Sequence, residues 1–107
     1  MDLNQCCDIL KNTFCSIDFS DIGTDFSVIL YITGDDGGYI YIAFVDGEII
    51  IEPIKHDSAN LFISLSKETF EEMFQQQLDP FKAFTTGQIK AKGNVALAFS
   101  LFTKLKA

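Results

Sequence analysis

The chain has no arginine and no tryptophan, and its 107 residues include one histidine, two prolines and three cysteines. Without a guanidinium, bidentate clamping of a phosphate or carboxylate is excluded. An anionic group would have to be met by lysine or by backbone amides at a helix start such as Gly93-Asn94. A single histidine leaves acid–base catalysis little to work with. It sits in His56-Asp57-Ser58, which has the residue types of a hydrolytic triad. Three consecutive turn residues splay apart, however, and no G-x-S-x-G elbow accompanies them, so the segment reads as a polar turn. Cys6, Cys7 and Cys15 lack zinc-ligand spacing and read as free thiols in a reducing compartment. Asp35-Asp36-Gly37 lacks the alternating acids and distal glutamate of a calcium loop, and there is no dinucleotide or P-loop fingerprint. No apolar run approaches the roughly 20 residues of a membrane span. The N-terminus, MDLNQCCDIL, has an early acid and no basic region, so no signal peptide is expected. Together these absences predict a cytoplasmic protein that is not an enzyme and holds neither cofactor nor metal.

What is present is apolar side chain: 48% of the residues are hydrophobic and eleven are phenylalanine. That is enough for one core and one domain over residues 1–107. The net charge of −7 is unevenly spread. Residues 1–78 carry a net −11, whereas residues 79–107 set Asp79 against Lys82, Lys90, Lys92, Lys104 and Lys106 for a net +4. An acidic chain is a poor nucleic-acid binder, so no such partner is expected. The basic segment suits solvated helix and strand faces, or transient contact with anionic headgroups.

Periodicity divides the chain into elements. Leu3, Cys6, Cys7, Leu10, Phe14 and Ile17 recur at helical spacing, predicting a helix over 2–16, and a polar connector containing Gly23 follows from Asp18 to Asp25. From Phe26 to Thr33 the period becomes two, with apolar residues on both faces. Gly34 to Gly38 has hairpin-turn composition, Tyr39 to Asp46 is a second strand, and Asp46-Gly47 is a strong hairpin signal. Glu48 to Ile54 continues the meander until Pro53, which lacks a donor, ends it or puts it at an edge. Leu61, Ile63 and Leu65 mark a fourth strand. Ser66 then caps a helix through Gln77, with Phe70, Met73, Phe74 and Gln77 as its buried stripe.

Asp79-Pro80 starts a short helix through Phe81 and Phe84 that should stop at Gly87. Gln88 to Lys92 alternates as a half-buried strand, with Ile89 and Ala91 on one face. Gly93 breaks it, Asn94 can cap, and a last helix runs from Val95 to about Lys106. Its expected core stripe is Val95, Ala98, Phe99, Phe102 and Leu105. Ala96, Leu97 and Leu101 lie outside that stripe, which leaves a second apolar face in need of a ligand, a partner or another part of the chain. The whole order predicts an α+β layer, three or four meandering antiparallel strands plus a later one, with helices on one face.

The stretch FKAFTTGQIKAKGNVALAFSL resembles the C-terminal signature of the sterol carrier protein family, the type-two sterol-binding domain. Asp79, Pro80, Ala83, Phe84, Gly87, Lys90, Gly93, Asn94, Leu97 and Ala98 stand where that pattern places them, while Gln88 replaces the commoner lysine. Residues 20–78 agree in element order. The chain departs from the fuller pattern in a short first helix and in ending Lys-Leu-Lys-Ala, without a peroxisomal targeting tripeptide. The resemblance implies a five-stranded, mostly antiparallel sheet with helices packed on one face and an apolar cavity between the layers. It also implies a non-catalytic lipid carrier for a fatty acid, acyl-CoA or sterol-like ligand. On that reading Phe70, Met73, Phe74, Phe81, Phe84, Ile89, Val95, Ala98, Phe99 and Phe102 would line the ligand site. From periodicity alone the same side chains could fill the core. The alternative is a protein-interaction or homodimerisation module, accessory to a separate enzyme, docking through Leu97 and Leu101.

Overall fold

Alternation along the strands decides which side of the sheet is buried, and the helices collect on that side. The computed structural model describes residues 2–22, 25–35, 37–75 and 77–106, without the side chains of Asp21 and Lys106. Gly23 of the connector and Asp36 of the first hairpin turn lie outside the described residues. The elements are α1 (Leu3–Phe14), β1 (Phe26–Thr33), β2 (Gly38–Val45), β3 (Glu48–Glu52), β4 (Leu61–Ser66), α2 (Lys67–Phe74), α3 (Pro80–Thr85), β5 (Ile89–Gly93) and α4 (Val95–Lys106).

The five strands form one sheet in the order β3-β2-β1-β4-β5. Three of the four pairings are antiparallel, as expected, but β4 runs parallel to β1 and is not the next strand of the meander. A fourth meander strand would have paired with β3. Residues 53–60 instead carry the chain past β2 and β1 to the far side of β1, making the sheet mixed. On the way His56 stacks on Tyr41 with ring centroids 4.0 Å apart, and the Lys55 ammonium lies 5.2 Å from the Tyr39 ring centre. The residue that could have belonged to a triad is therefore packed flat against a tyrosine.

Val28, Leu30 and Ile32 point from β1 into the helix layer and meet Leu61, Ile63 and Leu65 of β4 in register, with Ile42 and Ile40 on the other side. Local chemistry sets the helix starts. Asp2 and Gln5 form a capping box on α1, Ser66 Oγ accepts from Thr69 N, and Asp79 Oδ1 accepts from Phe81 N at 2.9 Å. Asn94 Oδ1 accepts from Leu97 N at 3.1 Å and starts α4. Gly93 has φ +104°, and a Cβ there would sit 2.6 Å from the Asn60 carbonyl oxygen, so the β5–α4 turn requires glycine on both counts.

Two sequence expectations are corrected in this layer. α2 ends at Phe74, and Gln77 lies beyond it and is exposed, so it is no part of a buried stripe. On α4 the buried face is turned from the expected one. Leu97 and Leu101 are each only 6% exposed and face the core, whereas Phe99 is 41% exposed and Val95 is half-buried. The interaction face expected at Leu97 and Leu101 is thus internal. On a helix apolar on most sides, periodicity cannot choose the side; packing against β4 and β5 chose it. Phe19, from the connector read as polar, is also a core residue.

Candidate functional site

Between the sheet and the helix layer lies a small, partly open cavity of about 50 Å³ with no polar lining surface. The sheet supplies its floor from Val28, Leu30, Ile42, Ile63, Leu65 and Ile89. Leu10 and Phe14 of α1 and Phe70, Met73 and Phe74 of α2 wall two sides, and Leu101, Phe102 and Leu105 of α4 close it. Each inward position follows from a period: two along the strands, three and four along the helices.

Eight of the ten residues expected at a ligand site fall into two groups. Phe70, Met73, Phe74, Ile89 and Phe102 line the cavity. Phe81, Phe84 and Phe99 lie outside it in an aromatic cluster along the α3–α4 seam. There Phe84 and Phe99 meet edge to face at 5.5 Å, and Phe81 meets Phe102 at 5.6 Å. Phe102 belongs to both groups, so the seam buttresses the ring that walls the cavity. Ala98 is fully buried and Val95 half-buried, and neither lines the cavity. The lining residues of α1, β1, β2 and β4 went unselected in the sequence because they read as ordinary core. Nothing in a single sequence marks which core side chain faces a void.

A second small cavity, of about 60 Å³, is lined by Thr13, Met73, Phe74, Pro80 and Leu105. It shares Met73, Phe74 and Leu105 with the first, so those side chains are the partition between the two. Met73 has three rotatable bonds, Phe74 is the last residue of α2, and Leu105 lies in the last turn of α4. The partition is therefore built from one adaptable side chain and two helix ends. A larger groove of about 500 Å³ between the connector and α4 is open and lined mainly by polar groups, including Asn60, Asn94, Ser100, Thr103 and Lys104. It is roomier but offers an oily chain no apolar enclosure, so the smaller inner cavity is the better candidate.

The electrostatics around the inner cavity are quiet. Burial pushes the Cys6 and Cys7 thiols up from their ordinary range, which disfavours reactive thiolates there. Among the described residues no group of histidine, cysteine, aspartate and glutamate is placed to hold a metal. No described helix is long and apolar enough to cross a membrane. The lysines of the basic segment do not form one surface. Lys90 and Lys92 stand on the sheet face away from the helices, Lys82 is on α3, and the Lys104 ammonium donates to the Asp18 carbonyl at 2.7 Å.

A family model, the SCP-2 sterol transfer family, matches residues 24–106. Hydroxysteroid dehydrogenase-like protein 2 of Rattus norvegicus is 35% identical over 71 residues, which are 65% of this chain and 14% of that protein. Peroxisomal multifunctional enzyme type 2 of Mus musculus is 43% identical over 60 residues, 56% of this chain and 8% of that protein. The chain thus spans a small fraction of the length of these curated relatives. Among solved structures, palmitated SCP2L2 from Aedes aegypti matches with a TM-score of 0.78 at 15% identity, over 100% of this chain and 96% of that one. At that identity the match shows the fold.

Proposed function

The chain belongs to the SCP-2 sterol transfer family, and from that premise we propose that it is a non-catalytic carrier holding one fatty-acid-like chain between sheet and helices. The observation that carries this reading is the cavity with no polar lining between sheet and helices, where burial of an alkyl chain is favourable. The structure of a palmitated protein of the same fold supports it.

The cavity is too small as it stands. Ligand pockets run to roughly 300–1,000 Å³, against about 50 Å³ here. Binding therefore requires the partition of Met73, Phe74 and Leu105 to swing aside and join the two voids, with further spreading of α2 and α4 from the sheet. Burying about 14 methylenes at ~0.8 kcal/mol each gives roughly 11 kcal/mol. Subtracting at least ~4 kcal/mol for lost freedom leaves a dissociation constant near 10 micromolar. Each ~1.4 kcal/mol of opening cost weakens that tenfold. Moderate affinity suits a carrier, which must release its cargo. Delivery to a membrane would use the α3–α4 seam, where Phe99 is exposed and Lys82 lies on the adjacent helix.

Titration of the purified protein with a fluorescent fatty acid, followed by native mass spectrometry, tests the reading. Saturable one-to-one uptake, displaced by palmitate, is expected. Absence of saturable uptake, with no lipid extracted by organic solvent from freshly purified protein, would refute it. A second reading has its own support: curated relatives named as a dehydrogenase-like protein and a multifunctional enzyme contain this region as a small part. In that setting the domain would hold a lipid beside a separate catalytic unit.

A further inference from the structure

The open groove of about 500 Å³ beside α4 gives an alkyl chain no enclosure, yet its position and its hydrogen-bonding groups are both ordered. Its lining includes two buried side chains, Phe26 and Leu97. Val28, the next inward position on β1, and Leu101, one turn further along α4, line the inner cavity. Those steps are about 7 Å along a strand and about 6 Å along a helix. Groove and cavity therefore lie end to end along the β1–α4 boundary, the one polar and the other apolar.

The polar groups of the groove have set roles because their other atoms are already engaged. Asn60 Oδ1 accepts from Ser27 N at 2.8 Å, and Asn94 Oδ1 accepts from Leu97 N at 3.1 Å. The Asn94 backbone N–H donates to the Asn60 carbonyl at 2.9 Å, which ties the two asparagines together. Each keeps its side-chain amide NH₂ as a donor. Ser100 and Thr103 are the reverse case. Their hydroxyls donate to the Ala96 and Phe99 carbonyls at 3.2 and 2.9 Å, so their oxygens are left to accept. Asp25 takes the Asp46 N–H on one carboxylate oxygen at 3.3 Å and offers the other as a further acceptor.

Charge then selects the kind of head the groove can seat. Asp25 and Lys104 are the charged residues in its lining. The Lys104 ammonium is engaged with the Asp18 carbonyl at 2.7 Å, and the chain has no arginine. A carboxylate or phosphate here would face Asp25 while the one lining cation is already committed, which is disfavoured. An uncharged head bearing hydroxyls suits both sets of groups. Its oxygens accept from the asparagine amides, and its hydroxyls donate to Ser100, Thr103 or Asp25. We propose that the groove seats the head of an uncharged single-chain lipid of the monoacylglycerol class, whose chain occupies the inner cavity. The proposal rests on the carrier reading and adds to it the choice of cargo.

The groove is open to solvent, so each hydrogen bond to the head replaces one made to water. Two such bonds, at the low end of the usual net contribution, favour a glycerol ester over a simple alkyl ester of the same chain by about tenfold.

Displacement of a fluorescent fatty acid from the full chain tests it, with palmitate, methyl palmitate and 1-monopalmitoylglycerol as competitors. All three are delivered from phosphatidylcholine vesicles, and the partition of each into the vesicles is measured separately. 1-Monopalmitoylglycerol should bind about tenfold more tightly than either of the others. Thr103→Val keeps the side-chain shape and removes an acceptor. Asn60→Asp keeps the oxygen that faces Ser27 N and turns the donor into an acceptor. Both positions are exposed, so the fold should be retained, as urea melts check. Each variant should cut the advantage of 1-monopalmitoylglycerol over methyl palmitate about fourfold, and Thr103→Val should leave methyl palmitate itself unchanged. Displacement by all three competitors with no advantage for the glycerol ester, or with palmitate preferred, overturns the head-group assignment and leaves the carrier reading standing. An advantage that neither variant reduces seats the head elsewhere and overturns it as well. Failure of the fluorescent fatty acid and of every competitor to bind removes the carrier reading and this proposal together.

Discussion

If a chain enters by displacing the partition between the two inner voids, trimming that partition should speed entry more than it harms the fold. Leu105 is the test position, because it lines both cavities and is only half-buried. Full exposure of a leucine costs ~1.5–3 kcal/mol, so swinging a half-buried one aside costs half of that, ~0.8–1.5 kcal/mol. Leu105→Ala removes this cost, and the association rate for a fatty acid should rise roughly four- to twelvefold. The apo protein should lose about 2 kcal/mol, the low end for leucine-to-alanine changes, because the site is already partly open. Stopped-flow fluorescence gives the rates, and urea melts with and without ligand give the stability. Saturating ligand at about 100 times its dissociation constant should return ~2.7 kcal/mol in both proteins. Loss of stability with an unchanged association rate would mean that Leu105 is ordinary core and that entry occurs elsewhere. Absence of ligand binding in the parent would instead remove the carrier reading itself.

Three further outcomes follow from packing. Leu101→Lys should unfold the protein or cost at least ~3 kcal/mol, because it buries a charge against the sheet; a melting temperature near the parent's would return Leu101 to an outward face. Gly93→Ala should cost about 2 kcal/mol or more through the left-handed backbone and the clash with the Asn60 carbonyl, and an unchanged melt would contradict that turn geometry. Iodoacetamide at mildly alkaline pH should label exposed Cys15 readily, leaving Cys6 and Cys7 until denaturant is added. Their thiols are buried and their pKa values raised, so the thiolate fraction is low. Mass spectrometry showing all three labelled at one rate would refute the buried placement.

Much of the architecture was legible from residue order because the signals are local. Capping residues at Asp79, Ser66 and Asn94, the alternation in β1, β2 and β5, and the glycine at position 93 act on neighbours a few residues away. The stretch from Asp79 to Ala98 also carried enough spaced residues to point to the family. The parallel placement of β4 was not legible. An eight-residue crossover can return a strand to either edge of a meander, and only the burial of Leu61 and Leu65 beside Val28 and Ile32 selects one.

What the sequence by itself determined is most of the element list and the apolar supply, since these depend on composition and on periods of two or near four. Tertiary packing alone decided which side of α4 faces inward, that Phe19 joins the core, and that the expected lining aromatics divide between a cavity wall and a seam. A helix apolar on most of its circumference has no local preference for orientation, and a void is defined by side chains from five or more elements at once. Such quantities exist only after the layers meet.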